Sequence, residues 1–351
     1  MTNTPWMIYG ANGYTGQLLV EEAVRRGHRP LLAGRSADKL APLAETYGLA
    51  WTAFSLDDDA ALRKAVGGVG LVFHAAGPFI HTARPMRSAC LAAGAHYLDI
   101  TGEIPVLQES LALDDAARRR GIALISGAGF DVVPSDCLAR HVASRLPGAT
   151  SLELGIAVAA RPSAGTAKSM LEGLMRGSWV RRGGKLVPHP PGLGARTVHF
   201  SHRPLTAVPI PWGDLVTAYH STGIPNITVR MAYPRRILRA MRPAILFGRI
   251  VLHPRPLRRL AQKVVERTIH GPDAAMRQTA RSYLWARAAD EAGSEAQAWL
   301  ETMEAYRLTA VAGVRCGEKL LPGDIRGALT PAQAFGADFV LELEGSRRTD
   351  G

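Results

Sequence analysis

A glycine-rich turn lies between a strand pattern and a helix pattern near the start of the chain. The apolar run Trp6–Tyr9 leads into the turn, and Thr15–Arg26 carries apolar side chains at helical spacing. Glycines there allow a sharp bend, a close approach of backbone to a pyrophosphate and tight helix–strand packing, while the helix N-terminus attracts phosphates. The spacing G-x-x-G-x-x-G therefore predicts a dinucleotide-binding turn formed by Gly10, Ala11, Asn12, Gly13, Tyr14, Thr15 and Gly16.

Strand and helix patterns alternate through residues 1–150 with short connections. Helical patterns include Pro85–Ala93 and Pro105–Arg120, and each of them lies between two strand patterns. Six β-α alternations predict an N-terminal Rossmann domain with a doubly wound parallel sheet. Its predicted strands are Trp6–Tyr9, Leu31–Ala33, Ala50–Leu56, Leu71–Ala75, His96–Ile100 and Ile122–Ser126.

The pattern changes after Pro147-Gly148, where strand-like runs follow one another with few helices between them. This predicts a mixed or antiparallel α+β domain over 151–303. The domain is expected to serve substrate binding or oligomerisation, and the oligomer could be a homodimer. Residues 304–351 are expected to add the helix Glu304–Lys319 and a short strand, Asp338–Leu343, packing back on the first domain. The strand-like runs are Leu152–Val158, Ala195–Phe200, Leu215–His220, Ile227–Ala232, Ala280–Ala288 and Gln297–Thr302.

Composition narrows the class of protein. Hydrophobic residues make up 47% of 351, which is typical of a globular chain. Cys90, Cys137 and Cys316 show no paired spacing that indicates zinc or disulfides, so no metal is expected. Nothing at the N-terminus resembles a signal peptide, which favours a cytoplasmic location.

The end of the second predicted strand indicates which nucleotide is bound. NAD sites usually place an acid there to bind the ribose 2′-hydroxyl. This chain has Gly34, Arg35 and Ser36 instead, and the nearest acid, Asp38, belongs to the following helix. A guanidinium and a hydroxyl can hold a 2′-phosphate, whereas a solvated surface arginine is the structural alternative. The sequence therefore favours NADP(H).

Further stretches resemble one family. HAAGPF, CLAAGAHYLDITGE and SGAGFDVVPSD begin at His74, Cys90 and Ser126, and WGDLVTAYHSTGIPN and TPAQAFGADF begin at Trp212 and Thr330. With the glycine turn, they are similar to the saccharopine dehydrogenase-like reductases, and more closely to a bacterial branch that includes trans-acting enoyl reductases of lipid and polyketide assembly. The resemblance covers nearly the whole chain.

The resemblance also implies which loops form the site. Open α/β sheets bind ligands at the carboxyl edge, and three loops are predicted to end there. In the family, the corresponding loops line the cofactor and the substrate entrance. The loop residues expected at the cofactor are Ala76, Gly77, Pro78, Gly102 and Gly129.

A reductase needs a proton donor or an electrophile beside the hydride acceptor. Each candidate has a structural alternative. Asp131 could cap the helix near Pro134, Glu103 could bind backbone amides, and Lys168 could be solvated. Tyr219 and His220 adjoin on a predicted strand, so that only one of them could face a pocket. The candidate catalytic residues are Asp131, Glu103, Tyr219 and Lys168, with Tyr97 and His220 as further options.

These observations predict an NADP(H)-dependent oxidoreductase. The branch resemblance implies reduction of the C=C bond of a small-molecule or carrier-bound acyl or lipid-type substrate. Two alternatives stay open. One is reduction of a C=N bond of the saccharopine type, and the other is a non-catalytic, lipid-associated scaffold that binds NADP without turnover.

Residues 230–268, the basic apolar segment, concentrate positive charge. They hold eleven basic residues and one acid, Glu266, in a chain whose formal net charge is +12. The segment could lie peripherally on an anionic membrane, dock an acidic carrier protein, or cover the second domain with two helices. No nucleic acid is expected, because Tyr233 and Phe247 are too few to form a stacking platform. The basic residues are Arg230, Arg235, Arg236, Arg239, Arg242, Arg249, Arg255, Arg258, Arg259, Lys263 and Arg267.

Overall fold

The computed structural model describes residues 5–158, 161–234, 236–238, 243, 245, 247–248, 251, 253–269 and 271–351, without the side chains of 173–176, 255, 259 and 266. The chain forms two compact units. The first comprises the chain up to Asp131 together with Tyr306–Phe335, and the second comprises Val132–Ala305 and Gly336–Gly351.

A parallel sheet organises the first unit. Its strand order is β15-β6-β5-β4-β1-β2-β3, so the order reverses between β1 and β4, where doubly wound sheets bind ligands. The sheet confirms the predicted Rossmann-type α/β fold. The strands are β1 (Trp6–Tyr9), β2 (Leu31–Gly34), β3 (Trp51–Ala53), β4 (Leu71–His74), β5 (His96–Asp99), β6 (Ala123–Ile125) and β15 (Gly327–Ala328).

Helices connect these strands. Gly27 follows the first helix with φ +84°, a left-handed conformation that favours glycine after a helix end. The prediction of a single helix over Pro105–Arg120 is wrong, because two helices separated by Ala112–Leu113 occupy this range. The helices are α1 (Tyr14–Arg25), α2 (Ala37–Tyr47), α3 (Asp59–Val66), α4 (Phe79–Ala93), α5 (Ile104–Leu111) and α6 (Asp114–Arg120).

A mixed sheet forms the second unit, with the path β10-β11-β12-β7-β13-β14-β16. Strands β12 and β7 are parallel, while the other pairs on the path are antiparallel. The hairpin β8–β9 pairs with β12. The strands are β7 (Ser151–Val158), β8 (Ser178–Arg182), β9 (Lys185–His189), β10 (Arg196–His199), β11 (Pro204–Pro209), β12 (Asn226–Ala232), β13 (Arg281–Ala289), β14 (Glu295–Met303) and β16 (Arg347–Asp350).

Two predicted strands are wrong. Leu215–His220 lies within a helix, because Asp214 begins it and Gly223 ends it with φ +74°. Phe339–Glu342 is a 3-10 helix, and the last strand is β16, paired with β14. The remaining helices are α7 (Val133–Arg145), α8 (Ala164–Arg176), α9 (Asp214–Thr222), α10 (Arg255–Thr268), α11 (Ala274–Thr279), α12 (Ala305–Leu320) and α13 (Pro331–Phe335). Among the helices described, none has the length and apolar character needed to cross a membrane.

The helix α12 packs on the first unit's sheet through two glycines. A Cβ at Gly313 would lie 2.6 Å from Phe73 Cζ and 3.0 Å from Leu19 Cδ2. A Cβ at Gly317 would lie 3.3 Å from Leu71 Cδ2, the end of a flexible side chain. The first position therefore has no room for a methyl group, whereas the second needs only a small shift of its neighbour.

We expect Gly313→Ala to destabilise the protein by about 1–3 kcal/mol, since the added methyl group overpacks the contact with the buried Phe73 ring. Gly317→Ala is the matched control, because it gives the same helix the same gain in propensity. Urea unfolding of both variants measures the difference. Equal stabilities would contradict the close helix–sheet contact at Gly313.

Candidate active site

The glycine turn connects β1 to α1 at the point where the strand order reverses. Gly10 has φ +86°, and a Cβ there would lie 2.9 Å from the backbone of Ala75 and from Ala76 Cβ. A Cβ at Gly16 would lie well inside van der Waals contact with the carbonyl oxygen of Gly10. Gly10 therefore lies against the loop that follows β4, and Gly16 lets α1 pack closely on the turn.

The N-terminus of α1 is built to receive an anion. Gly13 occupies the N-cap position and supplies no side chain, and the first turn contains no acid. The first N–H groups of a helix lack intrahelical acceptors and carry partial positive charge. The turn therefore offers backbone donors to a phosphate with no carboxylate beside them in the first turn to repel it.

Arg35 and Ser36 follow the end of β2 and are exposed. A Cβ at Gly34 would lie 2.9 Å from Asn12 Oδ1, so the Asn12 side chain reaches the end of this strand. Ser36 occupies the N-cap position of α2, but its side chain makes no capping hydrogen bond. The pKa of Tyr9 is raised to about 12 by burial, and the positive charge of Arg35 opposes that rise. A cation and a hydroxyl thus stand where NAD sites carry an acid.

Asp99 ends β5 and is fully buried. Its Oδ1 accepts hydrogen bonds from the backbone N–H groups of Thr101 and Gly127, both at 3.0 Å. Its Oδ2 accepts from the hydroxyls of Tyr97 and Ser126, both at 2.9 Å. Burial raises the pKa of Asp99, and these donors oppose the rise. One carboxyl group thus fixes the loops after β5 and β6 together.

The Glu103 carboxylate links the loop after β5 to the loop after β4. Its Oε1 and Oε2 accept from the backbone N–H groups of Phe79 and Ile80, each at 2.9 Å. These are the first two residues of α4, so the acid stabilises the helix N-terminus directly after Gly77-Pro78. The backbone-amide alternative for Glu103 is therefore confirmed.

Asp131 follows the loop after β6 and lies against the Glu103 loop. A Cβ at Gly102 would lie 2.9 Å from Asp131 Oδ2, so only glycine fits there without displacing the carboxylate. Burial and then the negative charge of Glu103 raise the pKa of Asp131 to about 6. The N-cap of α7 is Val132, so the interpretation of Asp131 as the cap of that helix is wrong.

The helix α12 contributes residues that the sequence patterns did not single out. The Tyr306 ring meets the Tyr14 ring edge-on, with centroids 5.1 Å apart. Thr309 Oγ1 accepts from the backbone N–H of Phe130 at 3.0 Å, and a Cβ at Gly129 would lie 2.7 Å from Thr309 Cγ2. The helix thus borders both the glycine turn and the loop that carries Asp131. The glycines four residues apart, Gly313 and Gly317, were the available signal of its close packing.

The other candidates occupy different positions. Lys168 lies on α8 and Tyr219 on α9, both in the second unit. The Arg181 guanidinium stacks 4.0 Å from the Tyr219 ring centroid. Because α9 is a helix, the prediction that Tyr219 and His220 face opposite sides of a strand is wrong. Desolvation by burial lowers the pKa of His220. In the first unit, Tyr97 donates its hydroxyl proton to Asp99. The structure therefore brings together Glu103 and Asp131 among the predicted catalytic residues.

The donor set fits a dinucleotide phosphate with an added 2′-phosphate. It combines a turn in which side chains are sterically excluded, a helix N-terminus without an acid and a cation at the end of β2. Within the described residues, no group of three or more His, Cys, Asp or Glu side chains is arranged to hold a metal ion.

Comparisons with known proteins agree with this geometry. Residues 6–125 match the family described as the saccharopine dehydrogenase NADP binding domain. The N-terminal part of the chain is therefore similar to the NADP binding domain of saccharopine dehydrogenases. The protein is an NADP-dependent oxidoreductase.

Two similar proteins come from mycobacteria, and a solved structure of the same fold comes from yeast. A trans-acting enoyl reductase of Mycobacterium tuberculosis is 27% identical over 399 residues, covering 97% of this chain and 95% of its own. The Mycobacterium ulcerans trans-acting enoyl reductase is 31% identical over 149 residues, 40% of this chain and 35% of its own. Saccharopine dehydrogenase (L-Glu forming) of Saccharomyces cerevisiae shares the fold, with a TM-score of 0.67 and 11% identity over 99% of this chain and 100% of its own.

We expect Arg35→Asp to raise the KM for NADPH by about 10–100-fold, because a charge-assisted bond to the 2′-phosphate is lost and replaced by repulsion. The KM for NADH should change little or fall. Arg119→Asp makes the same charge change at an exposed position of α6 and serves as the control. Initial rates with both cofactors provide the measurement, and an unchanged preference would contradict the role of Arg35.

Proposed function

We propose that the protein reduces the C=C bond of an α,β-unsaturated acyl substrate, with NADPH as the hydride donor. The full-length similarity to relatives named trans-acting enoyl reductase supports an acyl substrate of a carrier or synthase system. The observation that carries the chemistry is a carboxyl group with a pKa of about 6, Asp131, beside the loops at the carboxyl edge of the sheet.

The cofactor would be held in the first unit. In this proposal, the turn Gly10–Gly16 binds the pyrophosphate and Arg35 with Ser36 binds the 2′-phosphate. The loop Ala76–Pro78 borders Gly10 and would lie along the cofactor towards Gly102 and Gly129. Bound NADPH supplies the hydride, and the remaining chemistry falls to the side chains of this chain.

The reaction also needs a proton at the α-carbon of the acyl group. Asp131 can carry one, because burial and the nearby Glu103 charge disfavour its ionised form. Glu103 holds the N-terminus of α4 and would therefore act as a positioning residue that also tunes Asp131. Lys168 and Tyr219 lie in the second unit, and a catalytic role for them stays a prediction from the sequence.

We expect the protein to oxidise NADPH when a trans-2-enoyl thioester is the substrate. The loss of NADPH absorbance measures this reaction. Matched 3-ketoacyl thioesters and imines formed from an amino acid and a keto acid serve as comparison substrates. Faster turnover of the imine would replace the C=C assignment by C=N reduction. NADPH binding, seen by fluorescence titration, without oxidation by any substrate would contradict a catalytic function.

The pH dependence tests the proton donor. Because the protonated carboxyl is the active form, kcat/KM should fall as pH rises through about 6. Asp131→Asn should lower kcat by about 10²–10⁴-fold and remove this limb of the profile. Glu103→Gln removes the charge that raises the pKa of Asp131, so the limb should move to lower pH.

Asp115→Asn is the control for these substitutions, since it removes an exposed carboxylate on α6. Its pH profile should match that of the unmodified protein. An Asp131→Asn variant that keeps the same pH limb would assign the proton transfer to another group.

A further inference from the structure

The basic apolar segment exposes large hydrophobic side chains to an unusual degree. Ten such side chains are exposed among the residues that the structure describes, and six of them lie between residues 237 and 264. Phe247 is 69% exposed and Leu260 is 58% exposed. Concentrated exposed apolar surface marks an interaction site rather than ordinary protein surface. The six residues are Ile237, Phe247, Val251, Leu257, Leu260 and Val264.

The helix α10 shows how this surface is arranged. One face packs on α8, where Gln262 Nε2 donates to Glu172 Oε1 at 2.8 Å and Arg258 lies 3.9 Å from Glu172 Oε2. Leu257, Leu260 and Val264 are spaced by three and four residues and are 45%, 58% and 52% exposed. They form a stripe on another face of the helix, and about half of its surface is exposed. The helix is therefore anchored on one face and open on another.

Positive charge accompanies the apolar stripe. Lys263 and Arg267 are exposed on the same helix, four residues apart, and lie beside the stripe on the helical surface. Across residues 230–268 the sequence holds eleven basic residues and one acid. Other members of the segment lie outside the described residues: Arg235, Arg239, Arg242, Arg249, Leu246, Ile250 and Leu252.

We propose that this segment attaches the protein to an anionic lipid surface. The α10 helix would lie in the plane of the headgroups, with Leu257, Leu260 and Val264 inserted among the acyl chains and Lys263 and Arg267 at the lipid phosphates. A helix of 14 residues extends about 21 Å, which suits a position in the interface. This inference goes beyond the proposed reduction and does not depend on it.

Charge and shape favour a bilayer over the other occupants. Two copies of this face would bring two strongly positive segments together, which opposes a homodimer through it. An acidic carrier protein would satisfy the cations but would not require apolar side chains spread from Ile237 to Val264. An interface that combines anionic headgroups with acyl chains satisfies both.

Vesicle sedimentation tests the proposal with the full-length protein. Phosphatidylcholine vesicles with and without phosphatidylglycerol are compared at low and high salt. We expect binding to the anionic vesicles, weakened by salt because screening reduces the attraction of the basic side chains. Equal binding to neutral and anionic vesicles, or no binding to either, would overturn the proposal.

Paired substitutions locate the contact. Leu260→Asp with Val264→Asp should lower the partition coefficient at least tenfold. Lys263→Glu with Arg267→Glu should lower it by about 25-fold or more, since each cation near the surface contributes about fivefold. The controls are Leu341→Asp and Arg119→Glu with Arg120→Glu, which alter exposed residues elsewhere. Unchanged partitioning in the α10 variants would overturn the assignment to this helix.

A second measurement needs no destabilising change. All three native cysteines are buried, so Leu260→Cys can be labelled selectively with a polarity-sensitive fluorophore. A blue-shifted emission on anionic vesicles supports insertion, and an unchanged emission overturns it. Two other outcomes also overturn the proposal: binding to an acidic acyl carrier protein without vesicle binding, and a dimer that the Asp variants dissociate. NADPH titration of every variant distinguishes these results from loss of the cofactor site.

Discussion

The buried carboxyl group of Asp99 is the constraint on which the candidate site depends. It accepts two backbone N–H groups and two hydroxyls from β5 and from the loops that follow β5 and β6. Leaving four buried donors without an acceptor would cost several kcal/mol, so this carboxyl fixes the geometry of both loops. Thr101, bound to Asp99, in turn accepts the N–H of Glu103 at 3.0 Å. The position of Glu103 therefore follows from Asp99.

Glu103 connects the loop after β5 to other residues at the carboxyl edge of the sheet. Its carboxylate binds the first N–H groups of α4, and its charge contributes to the raised pKa of Asp131. On the far side, Gly10 packs against Ala75 and Ala76 in the loop that leads to α4. A continuous set of contacts thus joins the glycine turn to the proposed proton donor.

The pattern of the first 150 residues predicted the parallel sheet and its order of elements, because strand and helix there alternate with different hydrophobic periods. Predictions were less accurate where periodicity is ambiguous. Leu215–His220 is apolar without a clear hydrophobic period. Asp214 in the first turn and Gly223 at the C-terminal end favour a helix there. At Phe339–Glu342 a short apolar run forms a 3-10 helix that packs on α7. Local residues at the ends determined the first of these segments, and tertiary contact determined the second.

The sequence by itself determined the glycine turn, the absence of an acid after β2 and the choice of NADP(H). Each of these follows from residue types at fixed local spacing. Only the tertiary structure decided which polar residues act together. It joined Glu103 to Phe79, Gly102 to Asp131 and Thr309 to Phe130, pairs that are 24, 29 and 179 residues apart. A raised pKa at Asp131 requires burial and a neighbouring charge, and both come from packing that no local pattern specifies.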